Sequence, residues 1–147
     1  MVNLKQLVAT MILCGAAAGA RAEYGCTAGS EFEPRLCPLN LPRIGQITVR
    51  QNGGITSKAG PAANCAAFRL TQQQVRRFLT QAMAVHVNDA HYTLDRSRCF
   101  AAGELMFTDG RRGEWFIEQF RVGNVKIGAA DAQLVYCPAC RVRPFRW

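Results

Sequence analysis

Cys137-Pro138-Ala139-Cys140 has the spacing of the thiol oxidoreductases, two sulfurs separated by two residues. That chemistry needs a thiolate, which a helix starting at the first cysteine provides by lowering the thiol pKa. Here Arg141-Val142-Arg143-Pro144 follows, a poor helix start that Pro144 would interrupt early. A structural bridge is the favoured reading, and thiol-redox work is the alternative. His86 and His91 are the only histidines, and with Cys137 and Cys140 they make an acceptable set of zinc ligands. Such metal handling requires thiolates kept from oxidation, so it ranks below the bridge, and no metal or other cofactor is expected.

Other candidates for catalysis are weaker. Asp89 and Asp95 lie near the histidines and allow a His–carboxylate pair to be drawn. No serine sits in a nucleophile elbow, no HExxH occurs, and no glycine loop is built to cradle phosphate. Glu114 and Glu118 share a strand face by their spacing, yet Glu118 reads equally as an exposed strand residue. The expectation is a protein without catalytic residues, not an enzyme.

Arginines suggest binding instead. Asp109, Arg111 and Arg112 fall at the tip of an expected hairpin, and Arg141, Arg143 and Arg146 are interleaved with Pro144, Phe145 and Trp147. Arginine beside aromatic rings is the composition of interface anchors, because the planar cation makes paired hydrogen bonds while rings bury area at little entropic cost. Sites for single-stranded nucleic acid share it, but an exported chain seldom meets nucleic acid. Arg111, Arg112, Asp109, Arg141 and Arg143 are therefore the expected contacts to one protein partner.

Residues 99–140 must position these groups. Leu105 and Phe107 alternate with Glu104 and Thr108, and Asp109-Gly110 supplies a turn tolerant of positive φ. The aromatic and β-branched run 114–122 follows, then a turn at Gly123-Asn124, a strand with Val125 and Ile127, a loop over 128–131, and a strand from Gln133 to Cys137. This is a four-stranded meander. Leu105, Phe107, Trp115, Ile117, Val125, Ile127, Leu134 and Tyr136 can share one apolar face if the registers match.

A helix starting after Thr71 covers that face. Thr71 and Gln74 form a capping box, Leu70 and Val75 a hydrophobic staple, and Val75, Phe78, Leu79, Ala82 and Met83 recur at helical spacing. Upstream, Pro34, Pro38 and Pro42 punctuate an irregular arm, with a short strand at 44–49, a turn at Asn52-Gly53-Gly54 and a further fragment at Ile55-Thr56. The expected fold is α+β: one amphipathic helix packed on a four-stranded antiparallel meander, disulfide-tied, with an irregular N-terminal arm.

Residues 1–22 read as a secretory signal peptide, with Lys5 ahead of an apolar run and Ala20-Arg21-Ala22 as the cleavage site. The apolar run is short for a membrane span, and Cys14 inside it makes a poor lipoprotein site. Cleavage removes Lys5 and Arg21 from the 18 basic residues, leaving 16 against 10 acidic ones, a net charge of +6. It also removes one of seven cysteines and leaves Cys26, Cys37, Cys65, Cys99, Cys137 and Cys140. An even number in a small exported chain implies disulfides, whose pairing spacing alone does not choose; local pairing, Cys26 with Cys37, Cys65 with Cys99 and Cys137 with Cys140, is the simplest expectation. The organisation is a signal at 1–22, an arm at 23–64 and an α+β domain at 65–147, with 23–147 one folded unit in the periplasm or outside the cell. No transmembrane span is expected after signal removal.

Cys99, Gly103-Glu104-Leu105 with Phe107, Asp109-Gly110, Trp115 with Ile117, and Tyr136-Cys137-x-x-Cys140 together resemble a group of small exported bacterial periplasmic proteins in which a helix precedes a disulfide-tied meander. Some proteins of that build resemble immunity proteins, and the resemblance covers the C-terminal half. It implies a non-enzymatic binding protein, an immunity protein or inhibitor neutralising a secreted antibacterial toxin or hydrolase. The alternatives are the thiol or metal chemistry of Cys137 and Cys140, and an envelope accessory whose basic tail binds anionic lipid or polysaccharide.

Overall fold

The computed structural model describes residues 25–56 and 64–146; the signal peptide expected at 1–22 lies outside them. The described residues form one seven-stranded antiparallel sheet, not a helix on four strands. Its strands are β1 (Leu36–Pro38), β2 (Ile44–Ile55), β3 (Met83–Val85), β4 (Cys99–Phe107), β5 (Arg112–Glu118), β6 (Val122–Ile127) and β7 (Gln133–Tyr136), and two helices, α1 (Gln72–Gln81) and α2 (Val87–Thr93), interrupt them. The order β1-β3-β7-β6-β5-β4-β2 keeps the expected meander as β4 to β7 and adds β2 at one edge and β3 and β1 at the other.

The arm is thus not irregular throughout: it carries β1 and the twelve-residue β2. The Asn52-Gly53-Gly54 signal does not turn the chain, because β2 runs on through it with register shifts against β4, and Gly53 takes φ 62°. A bulge absorbs the extra residues. Asn52 is held from outside the strand, its Oδ1 accepting from Leu70 N at 2.8 Å and its Nδ2 donating to Leu70 O at 3.2 Å. Pro38 is tolerated because β1 is an edge strand, where a missing N–H costs no ladder bond.

Helix α1 begins where capping chemistry puts it. Thr71 Oγ1 accepts from Gln74 N at 3.2 Å, and Gln74 Oε1 accepts from Thr71 N at 2.9 Å. It ends at Gln81, two residues earlier than the apolar spacing suggests, and Met83 joins β3 instead of the helix face. Ladder bonds from β3 to both β1 and β7 outweigh extending the helix to Met83. Helix α2 carries no local sequence signal. It has only seven residues, including Asn88, Asp89 and Thr93, so its stability comes from packing Ala90 against Leu36 and Val85 and not from propensity.

The helices lie on opposite faces of the sheet. On one face Ile47, Ala101, Leu105, Phe107, Trp115, Ile117, Val125 and Val135 join Val75, Phe78 and Leu79 of α1 in the main core. Gly103 belongs to that face, where a Cβ would stand 1.9 Å from Thr48 O and 2.9 Å from the Trp115 ring. Leu134 and Tyr136 do not share it: Val125 pairs with Gln133, which turns them to the other face, beside Met83, Val85 and α2. A one-residue change of register moves a whole strand's side chains across the sheet. The second turn also lies earlier than Gly123-Asn124. Those residues are inside β6, and the chain reverses over 119–121, with Arg121 N donating to Glu118 O and Arg121 at φ 68°.

Three disulfides tie these layers: Cys26 to Cys37, Cys65 to Cys99, and Cys137 to Cys140, with S–S distances of 2.09, 1.97 and 2.08 Å. Each joins consecutive cysteines of the described residues, the pairing expected from the sequence, and they fit a chain that folds in an oxidising compartment. No helix among the described residues is long and apolar enough to cross a membrane.

Candidate functional site

Neither helix covers one broad part of the sheet, the face of β2, β4, β5 and β6 opposite α1. Its register is set by the β4–β5 hairpin. Gly110 N donates to Phe107 O, Phe107 N donates to Arg111 O, and Gly110 takes φ 87°, so the loop is three residues with a left-handed glycine at its end. This geometry places Glu104 opposite Glu114 and Met106 opposite Arg112. Thr48 of β2 and Lys126 of β6 extend the carboxylate row on either side. The neighbouring row brings Ala102, Phe116 and Asn124 together, and Phe100 stacks on Phe116 with centroids 4.6 Å apart. A cavity of about 430 Å³ opens between the carboxylate row and the Met106–Arg112 pair, lined by Gln46, Thr48, Glu104, Arg112, Glu114 and Lys126 among others.

Two glutamates directly opposite each other repel, so surrounding cations must hold them. Arg50 Nη2 donates to Glu104 Oε2 at 3.0 Å. That hydrogen bond, with the charges of Arg50 and Arg112, lowers the Glu104 pKa below its ordinary 4.5, and the same contact raises Arg50. A carboxyl held down in this way stays ionised near neutral pH, which suits ion pairing and not proton donation. The sign follows: a depressed folded pKa contributes stability that is present above about 4.5 and is lost as pH falls through the folded value. A carboxyl-detected NMR titration should place the Glu104 midpoint below 4.5 and move it back upward in Arg50→Ala. An unchanged midpoint would show that the ion pair does not hold the carboxylate.

The hairpin tip is at one end of this face. Asp109 Oδ2 accepts from Arg111 Nε at 2.8 Å and Nη2 at 2.6 Å, and Asp109 Oδ1 accepts from Arg111 N at 3.1 Å, so Arg111 is engaged within the turn. The pair lowers Asp109 and raises Arg111, chiefly through the side-chain hydrogen bond. Arg112 is exposed and lines the cavity. The other arginine cluster is not brought to this place. Arg146 N donates to Gln119 O beyond the far end of β5, so the tail and the tip are separated by the length of that strand, roughly 25 Å at ~3.3 Å per residue. Arg141 Nε donates to Pro138 O at 3.2 Å. Phe145 is not an exposed anchor, since it is buried against Phe68 and Phe78.

The remaining candidates are structural in their contacts. Cys137 and Cys140 are bridged to each other, and both are buried in the main core. His86 caps α2, with Nδ1 accepting from Asn88 N at 3.3 Å, and His91 lies edge-on to Tyr92. Glu118 is not a surface residue: it is 3 % exposed, its carboxylate takes Nε and Nη2 of Arg96, and it accepts from Ser97 N at 2.9 Å. Among the described residues no group of three or more His, Cys, Asp or Glu could hold a metal ion.

The sequence reading did not pick out Arg50, Glu104, Lys126 or the Phe100–Phe116 stack as site residues. A usable signal existed for the glutamates, because a three-residue loop centred on Asp109 sets Glu104 and Glu114 at equal distances from it. Searches of family models, curated proteins and solved structures found no match to the chain.

Proposed function

We propose that the chain is a periplasmic, non-enzymatic binding protein, an inhibitor or immunity protein that neutralises a secreted antibacterial toxin or hydrolase. The observation that carries this reading is the uncovered face, an aromatic stack flanked by Arg50, Arg112, Lys126, Glu104 and Glu114. Protein interfaces place aromatic and arginine contacts at a centre and polar groups around it. Strand pairing and disulfides fix the face before a partner arrives, so little conformational freedom is lost on binding. Its charges select register, and the chain's excess of basic over acidic residues steers it toward an acidic partner surface.

The test uses a photo-crosslinking residue placed at Met106, on the open face, or at Arg77, on the exposed side of α1. In exported protein, one stoichiometric partner should be captured from Met106 and not from Arg77, and that partner's lytic or hydrolytic activity should fall when the chain is added. Charge reversal by Arg112→Glu with Lys126→Glu should weaken the complex on the order of tenfold or more. Equal capture from both positions, or full affinity after charge reversal, would refute the reading.

A further inference from the structure

We infer a second binding site at the far end of the molecule, for a phosphate ester, between the C-terminal tail and the turn after β5. Its basis is a groove of about 590 Å³ lined by Ala67, Gln119, Arg143, Pro144, Phe145 and Arg146. Two guanidinium groups and one carboxamide supply its polar side chains, and no acidic side chain among the described residues lines it. The site differs from the sheet face, where Glu104 and Glu114 lie among the cations. A groove with that lining accepts a doubly coordinated oxyanion and offers nothing to a cation.

The tail presents its arginines from a fixed backbone. Phe145 is 5 % exposed, stacked on Phe78 at 5.7 Å and edge-on to Phe68 at 5.8 Å. On either side of it, Gln74 Nε2 donates to Arg143 O at 3.4 Å and Arg146 N donates to Gln119 O at 3.0 Å. The aromatic ring turns inward as an anchor, and the two arginines beside it are exposed. Neither side chain is engaged in an ion pair or hydrogen bond among the described residues. Two unpaired cations that line one groove repel, and an anion between them removes that repulsion. Arg forks match phosphate oxygens in pairs, while Pro144, Phe145 and Ala67 give the groove an apolar wall for the carbon part of an ester. Phosphate esters reach an exported protein in two forms, as small soluble esters and as lipid headgroups, and both share this chemistry.

Full mature chain would be titrated with glycerol 3-phosphate at constant ionic strength while amide shifts are followed, and sedimented in parallel with phosphatidylglycerol or phosphatidylcholine vesicles. Shifts confined to the amides of Ala67, Gln119, Arg143, Phe145 and Arg146 would assign the site to a soluble ester. Sedimentation with phosphatidylglycerol alone, without a response to the soluble ester, would assign it to a headgroup. In either case Arg143→Ala with Arg146→Ala should weaken binding on the order of tenfold or more, as expected for lost charge-assisted bonds. Arg77→Ala, which removes an exposed charge elsewhere, should leave it unchanged, and Arg143→Lys with Arg146→Lys should recover only part of it, because lysine lacks the fork. No response in either arm, or equal losses from the Arg77 and double-arginine variants, would overturn the site.

Discussion

Phe78→Ala is expected to lower folding stability by ~3–5 kcal/mol, the range for truncating a fully buried aromatic side chain. Phe78 is 0 % exposed and stands where three parts of the chain meet: α1, the residues before it at Phe68, and the tail at Phe145. Alanine removes the ring on which Phe145 stacks, so the cavity opens at the junction and not inside one element. The loss is large against the ~5–15 kcal/mol that holds a typical domain folded. Urea denaturation should show a lower midpoint with the slope retained, and hydrogen exchange should quicken at the Arg146 amide, which is tied to Gln119 O. Phe32, 81 % exposed, is the control, and its alanine variant should fall within ~0.5 kcal/mol of wild type. A Phe78→Ala cost no larger than that of Phe32→Ala would mean that the α1 core does not carry the fold.

Helix α1 and the central meander were legible because their signals are local. The capping box and staple need only residues from Leu70 to Val75, and alternation in Leu105, Phe107, Trp115 and Ile117 needs only a strand of ordinary length. What escaped depends on distant partners. β1 and β3 have three residues each and exist because they pair with each other and β3 also pairs with β7. β2 keeps its direction through Asn52-Gly53 because Leu70, eighteen positions later, occupies the Asn52 carboxamide. The burial of Glu118 is not legible in the sequence, because no local pattern announces that Arg96 and Ser97 converge on it.

The candidate face shows the same division. Composition points to Arg111 and Arg112, yet Arg111 is spent on Asp109 within its own turn. The cavity instead gathers residues from β2, β4, β5 and β6 that become neighbours only once each register is fixed. Turn type decides those registers, and Asp109-Gly110 alone does not distinguish a two-residue from a three-residue loop. Likewise Phe145 shares its composition with interface anchors, but the ring fills a core built from α1 and Phe68.

Replacing Cys65 and Cys99 together by alanine should cost about 4 kcal/mol, and replacing Cys137 and Cys140 together about 2 kcal/mol, if bridges act by limiting the unfolded chain. The first pair is 34 positions apart and encloses α1, β3 and α2, whereas the second is three apart and closes a single turn. All four sulfurs belong to the same buried core, so the lost packing is similar and loop length is the main difference. Alanine is preferred to serine because a hydroxyl at these positions would be buried without a sure partner. Denaturation of the two double variants decides the matter. The reverse order would show that the turn at Cys137, where the backbone N donates to Arg121 O and Pro138 O accepts from Arg121 Nη1, depends on its bridge for native geometry. The expected order means that the long bridge holds both helical layers to β4, while the short bridge leaves a turn that Arg121 already fastens.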